Sequence, residues 1–455
     1  MKNNKKLSAL TFCLSTLLAH QSMAAVSPAE AEKLKSELTP VGAIKAGNAD
    51  GSIPEWTGGL AKGGNPQNSS NLTRPSPLFP TEKPIFTITS ANVGQYESKL
   101  TDGAKYLLKN YPDYKINVYK THRIGAAPQY FYDQSINNAT NVTMTNSIMS
   151  MEHYQGGIPF PIPKTGEEAI ASMKWNWRGG DSTLEASTWF VSSSGKRALT
   201  SANIVNMTTP YNYPPGRENK LDKKLWGGSL ITATAPAFSA GEKQVVNIPA
   251  DPITTQTNAW VYLAGQRRLR KAPNVQYDVP NNFTSGLTNF DDSWGFSGAT
   301  DRYDWKLIGK EERYVPYEGN VLVNTKPEVL LGEKFINPEA MRWELHRVWI
   351  VEATLKPGAR HVVPKRRLYI DEDTWTILTS DLWDAKGQLW KSMQLPPLTY
   401  PEMSLTLSVP LIIYNYQSRD YAVMNAMNGD KEGMSFAELP ATMYTPQYLE
   451  RTGVR

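Results

Sequence analysis

Residues 342 to 394 carry a succession of period-two patterns, and no other stretch constrains the fold so tightly. Six of the seven odd positions from 343 to 355 are apolar: Trp343, Leu345, Trp349, Val351, Ala353 and Leu355, with Arg347 the exception. The even positions Arg342, Glu344, His346, Val348, Ile350, Glu352 and Thr354 are mostly polar. Alternation of this kind sets one face against a core and the other toward water. Pro357 and Gly358 stand where a type II turn wants them. Strand-like runs follow at residues 362–370, 375–383 and 388–393, with turn-forming residues 371–374 and 384–387 between them. Fourteen alternating residues span roughly 46 Å at ~3.3 Å each, well beyond the usual strand of ~5–6 residues. Strands that long twist and curl. The pattern therefore predicts an α+β protein built on a strongly curved antiparallel sheet.

The start of the chain has the form of a secretory leader. Lys2, Lys5 and Lys6 precede a largely apolar stretch from Leu7 to Ala19, and Ser22-Met23-Ala24 has the small-x-small spacing of a cleavage site, expected after Ala24. Cys13, the single cysteine, lies in the middle of the apolar run rather than at its end, so no lipid anchor is expected. The chain that remains would have no cysteine and would rely on its core alone, which fits a bacterial periplasm better than a disulfide-stapled secreted protein. Without the three leader lysines there are 45 basic and 43 acidic residues, a net charge of about +2. That balance excludes an ordinary nucleic-acid binder, which concentrates basic charge. No later stretch reaches the ~18 apolar residues of a membrane helix.

Ser27-Pro28-Ala29-Glu30 opens a short helix with a capping box. Residues 42–84 are rich in Gly, Pro, Asn and Ser and read as an extended arm on the surface. Helices are expected at 90–108, with Gly103 a weak point, and at 165–177, capped by Thr165 with Glu168 three residues on. Residues 137–151 are ambiguous between helix and strand. From 181 to 271 strands dominate, at 184–192, 197–207, 229–234, 244–248, 258–263 and 267–271. Residues 274–300 form a long irregular loop, more often functional than a mere connector. The expected organisation is a leader over 1–24, a helix and arm over 25–84, a half-barrel over 85–395 and a Pro- and Met-rich tail over 396–455.

Catalytic chemistry is hard to find. Of the histidines outside the leader, His122, His153, His346 and His361, no two stand at ligand spacing, and no metal site is expected. There is no nucleophile elbow and no phosphate loop. No cofactor is implied. The pairs Asp291-Asp292 and Asp301 with Asp304 read as solvated loop carboxylates. Two basic clusters, Arg267-Arg268-Leu269-Arg270-Lys271 and Lys365-Arg366-Arg367, are either solvated sheet faces or contacts for anionic headgroups or an acidic partner; Arg267, Arg268 and Arg270 are the candidates. The aromatic residues pose the same choice. Trp260, Tyr262, Trp343, Leu345, Trp349, Trp375 and Trp383 either fill a core or line an apolar cavity enclosed by the sheet.

Several short motifs resemble one family. They are Ala46-Gly47-Asn48-Ala49-Asp50-Gly51 with Trp56-Thr57-Gly58-Gly59, then Gly156-Gly157-Ile158-Pro159-Phe160-Pro161, Gly265-Gln266-Arg267-Arg268 with Ala272-Pro273, Arg302-Tyr303-Asp304-Trp305-Lys306, and Glu344-Leu345-His346-Arg347-Val348-Trp349. Together they resemble a large family of Gram-negative periplasmic proteins of unknown function (domain of unknown function 1329), similar to the outer-membrane lipoprotein-sorting carriers of the Lol pathway. The resemblance implies an incomplete antiparallel barrel closed by helices over an apolar cavity. It also implies a binding or shuttle protein for a lipid or other acylated ligand, not an enzyme, serving an inner-membrane exporter of the resistance-nodulation-division type. An adaptor that docks such an exporter is the alternative, and a lipid hydrolase a remoter one. The Lol carriers are much shorter, so the arm and tail are additions.

Overall fold

A computed structural model describes residues 26–60, 72–145, 150–222, 224–272 and 277–453; the leader lies outside them. The expected sheet is present and larger than the sequence pattern implied. Sixteen strands join it, fourteen of them along one hydrogen-bonded path. The path begins at Phe86–Ile88 and Ile116–Val118 and passes through Trp343–Leu355, Lys365–Asp371, Ile377–Trp383 and Leu389–Gln394. It continues through Leu411–Asn415 and Asp420–Met424 into Ser182–Val191, Arg197–Thr208, Leu225–Ala235, Lys243–Pro249, Asn258–Leu263 and Arg268–Lys271. Tyr303–Pro316 pairs with the free side of Trp343–Leu355. The pairings are antiparallel except for one parallel contact between Trp343 and Val118. The path has two ends, so the barrel is incomplete. Register shifts between Leu307 and Gly309, Thr188 and Trp189, and Ala202 and Asn203 each add a bend and extra twist, and so curl the sheet.

Two boundaries differ from the sequence reading. Residues 396–455 are no tail: Leu411–Asn415 and Asp420–Met424 sit mid-path and splice the two halves of the sheet together. Each has only five residues, too few to show a period against Pro-rich neighbours. The arm is not a surface strap either. Val41, Ala43 and Ile53 are buried, and Leu60, Leu78 and Phe79 pack over Val348, Ile350 and Tyr369 on the outer face of the sheet. That cover explains why the even positions Glu344, His346, Val348 and Ile350, read as water-facing, are buried, while Glu352 is half-buried and Thr354 exposed.

Helix Gly166–Lys174 has the expected cap, with Thr165 Oγ1 accepting from Glu168 N. It packs on Tyr303–Pro316 and Trp343–Leu355, placing Ala169, Ile170 and Met173 in one cluster with Trp343, Leu345 and Val351. Helix Asp102–Asn110 starts later than expected. Its Gly103 is a requirement rather than a weakness, because a Cβ there would fall 2.4 Å from Ser392 and 2.6 Å from Asp381. Asp381 accepts the free N–H groups of Asp102 and Gly103 at the helix start. Residues 129–141 form a helix, followed by a two-strand ribbon at Thr143–Met144 and Met151–Glu152. No helix among the described residues is long and apolar enough to cross a membrane.

Candidate functional site

The concave face is filled over one half of the sheet and hollow over the other. Residues directly opposite one another across neighbouring strands share a face. One such row runs Met434, Leu184, Val205, Ile231, Gln244, Val261, Arg270. A second runs Ser182, Met207, Ser229, Val246, Ala259. From Leu184 to Gln244 and from Ser182 to Val246, these rows floor a cavity of about 270 Å³, near the lower end of ~300–1,000 Å³ small-molecule sites.

The roof is the irregular loop. Phe283, Phe290, Trp294, Phe296 and the backbone at 297–299 close over the floor, and Lys174 and Arg178 stand at one wall. The loop is fastened to both halves of the sheet. Thr200 Oγ1 donates to Phe283 O at 2.6 Å, and Lys391 Nζ donates to Leu287 O. Beneath it, Arg366 donates to Asp291 at 3.2 Å, Asp292 at 3.3 Å and Tyr303 Oη at 3.2 Å, while His361 Nε2 lies 2.9 Å from Asp291. Arg366, 1 % exposed, also lies against the Phe296 ring. Burial, reinforced by neighbouring Asp291, pushes the Asp292 carboxyl above the usual carboxylate range. This corrects two readings: Asp291 and Asp292 are not solvated, and Arg366 does not lie on a solvated face. Its parity in Lys365–Asp371 matches Leu368 and Ile370, which turns it inward.

A second buried cluster ties down the arm. Arg123 grips Asp373 through Nε and Nη2 at 2.9 and 2.6 Å and donates to Lys45 O, while Arg347 donates to Ala46 O. Burial raises Asp371 to about 6. His346, Asp371 and Asp373 present ligand atoms within 4.8 Å of one another, the spacing of a metal-binding set. Asp373 is engaged by Arg123 and His346 by Glu344 at 3.0 Å, so these groups already form an ion-paired network.

None of the seven residues expected to line a cavity borders this one. Trp343 and Leu345 are core under helix Gly166–Lys174. Trp349 stacks on Trp375 at 5.7 Å, and Trp375, fully buried, donates to Val41 O. Trp375 borders only a neighbouring void of about 10 Å³. Trp260 and Tyr262 face the other way: they pack with Leu230, Val245, Tyr444 and Leu449 on the outer face, under the C-terminal helix Pro446–Gly453. Trp383 lies beneath the Lys365 and Arg367 side chains. Arg267, in the left-handed turn (φ 52°), and Arg268 and Arg270 are exposed at the end of the sheet path. Arg270 falls in the floor row, two strands from Gln244, or roughly 10 Å. Sequence reasoning missed Lys174, Arg178, Trp226 and Trp294. One signal was present: Lys174 follows Ile170 by four, on the buried stripe of its helix.

An open, bulged antiparallel sheet with a roofed apolar hollow on its concave face is the architecture of a half-barrel. The chain belongs to the family described as protein of unknown function, DUF1329, whose pattern matches residues 87–450. This is the family that the sequence motifs resembled. The chain is 39% identical over 462 residues, covering all of both chains, to the uncharacterized protein PA3922 of Pseudomonas aeruginosa. Among solved structures it is similar to a Vibrio parahaemolyticus domain described as an outer membrane lipoprotein-sorting protein, at TM-score 0.42 and 14% identity over 62% of this chain and 97% of that one. It is also similar to the LolA superfamily protein NE2245 of Nitrosomonas europaea, at TM-score 0.38 and 13% identity over 63% of this chain and all of that one.

Proposed function

We propose that the protein is a periplasmic carrier that binds a lipid or other acylated ligand in the concave cavity and shuttles it on behalf of an envelope lipid exporter. The observation that carries this reading is the cavity itself: an apolar hollow of about 270 Å³, floored by Leu184, Val205, Met207, Ile231 and Val246, beneath a loop fastened by a buried ion cluster. An unfilled apolar space of that size forgoes packing that a purely structural sheet would use. The acids beneath the roof are engaged with Arg366 and His361, which suits binding better than catalysis. Native mass spectrometry of protein purified from its own periplasm tests the reading. A retained hydrophobic ligand supports it; an empty protein whose delipidated form takes up no fluorescent fatty acid refutes it.

The adaptor reading draws on Arg267, in the turn before the edge strand, and on Arg268 and Arg270 on that strand, all three exposed. Cationic edges also serve simply to block edge-to-edge association. Reversing these three charges and assaying pull-down of the exporter decides between those roles: loss of capture assigns the edge to a partner, and unchanged capture removes the adaptor reading.

A further inference from the structure

Three charged side chains line the cavity: Lys174, Arg178 and Asp291. Asp291 is neutralised from behind by Arg366. The two cations have no such contact. Among the described residues no carboxylate lies within 4.0 Å of Lys174 Nζ or of the Arg178 guanidinium. Lys174 Nζ has one partner, Gly298 O at 3.3 Å. Arg178 Nε donates to Asn176 Oδ1 at 2.9 Å, while neither Nη group has a hydrogen-bond partner among the described residues. The guanidinium instead lies 4.8 Å from the centre of the Trp294 ring and 5.4 Å from that of Trp226. Trp294 is held in the left-handed region (φ 52°), a conformation uncommon for a bulky residue. Aromatic faces attract a cation but accept none of its directed N–H bonds.

Charge placed in a low-dielectric site without a paired counter-ion is costly, and two cations with no carboxylate in contact at one end of an apolar hollow have a simple complement. We infer that Lys174 and Arg178 form an anion-binding wall that takes the carboxylate or phosphate head of a single-chain amphiphile, with its chain laid along the floor from Met207 and Val205 toward Ile231 and Val246. The inference rests on the carrier reading and specifies its ligand. Burial pushes the Lys174 ammonium down to about 8, with Asp251 opposing and Arg178 reinforcing the shift, and burial alone pushes the Arg178 guanidinium down to about 10.

The test uses the delipidated whole protein and matched C12 probes: dodecanoate, dodecyl phosphate and the neutral dodecan-1-ol, titrated by calorimetry at pH 7. The wild-type protein is expected to bind at least one of the anions about tenfold or more tighter than the alcohol, the contribution of a single charge-assisted contact. In Lys174→Gln/Arg178→Gln that preference is expected to fall to about one, with alcohol affinity unchanged. Dodecanoate preferred over dodecyl phosphate assigns a fatty-acid-like head, and the reverse a phosphorylated one. Equal binding of all three probes by the wild type overturns the inference and leaves the carrier reading standing. Binding of none overturns both. The wild-type comparison needs no variant, so a double variant that fails to fold does not remove the test. Retention of the preference in a folded variant also overturns the inference.

Discussion

Replacing Arg366 with Met tests how the roof is held. The side chain is nearly isosteric along its stem, so the change removes charge and hydrogen bonds more than volume. It leaves Asp291 and Asp292 side by side, buried, with His361 the only group among the described residues in direct contact able to carry positive charge. Breaking a buried ion cluster by removing one partner costs about 3–5 kcal/mol, because the remaining charges are uncompensated. At a urea slope of ~3 kcal/mol/M this moves the unfolding midpoint down by roughly 1–1.7 M. The deficit has a defined pH dependence. Burial and the neighbouring Asp291 already raise Asp292 in the folded protein, and without Arg366 the ionised form is disfavoured further. A carboxyl raised on folding is most compatible with the fold at acid pH and loses stability as pH climbs above its unfolded value. The variant should therefore lie closer to the wild type at pH 5 than at pH 8. Urea melts at both pH values provide the measurement, with hydrogen exchange across residues 277–300 reporting the loosened roof. A loss below about 1 kcal/mol, or a larger deficit at pH 5 than at pH 8, refutes the reasoning.

Other outcomes follow from the same geometry. Ile231→Trp puts an indole into the cavity floor and should lower fatty-acid affinity at least tenfold in a fluorescence titration while leaving the melting temperature nearly unchanged. Trp343→Ala should do the opposite, costing about 3–5 kcal/mol of stability in denaturant melts with ligand affinity unaltered, since that ring is core. Lys174 titrates near 8, pushed down by burial, with Asp251 opposing and Arg178 reinforcing the shift. Dodecanoate affinity should therefore fall as pH rises from 7 to 9.5 and the ammonium loses its proton, whereas dodecan-1-ol affinity, measured by the same calorimetry, should stay flat.

The alternation from Trp343 to Leu355 was enough to name the sheet, and the Thr165–Glu168 cap enough to place the helix beneath which Trp343 and Leu345 pack. Which face met water was not legible there. Glu344 and His346 look solvent-bound in sequence, but they belong to an ion-paired network covered by the arm, and pairing of that kind lies beyond any local period. Arg366 could have been turned inward from its parity with Leu368 and Ile370. The cavity was sought where the tryptophans were densest, and large rings fill space. The hollow lies instead where the strands carry small and branched residues, Ser182, Thr188, Ser229 and Val246, a pattern indistinguishable from an ordinary half-exposed sheet until the loop at 277–300 is folded over it. Its cationic wall required a lysine in the last turn of a helix and an arginine just beyond it to turn into the hollow with no carboxylate in contact, where sequence habit assigns both to water.

The central claim is that this hollow, and not the tryptophan-rich half of the sheet, receives the ligand. Crystals of the protein with 12-bromododecanoic acid, with bromine located by anomalous scattering, address it directly. The account predicts bromine inside the cavity, against Val205, Ile231 and Val246, with the carboxylate at Lys174 and Arg178. Bromine lodged among Trp343, Trp349 and Trp375, or on the outer face near Tyr262, with the cavity empty, would contradict it.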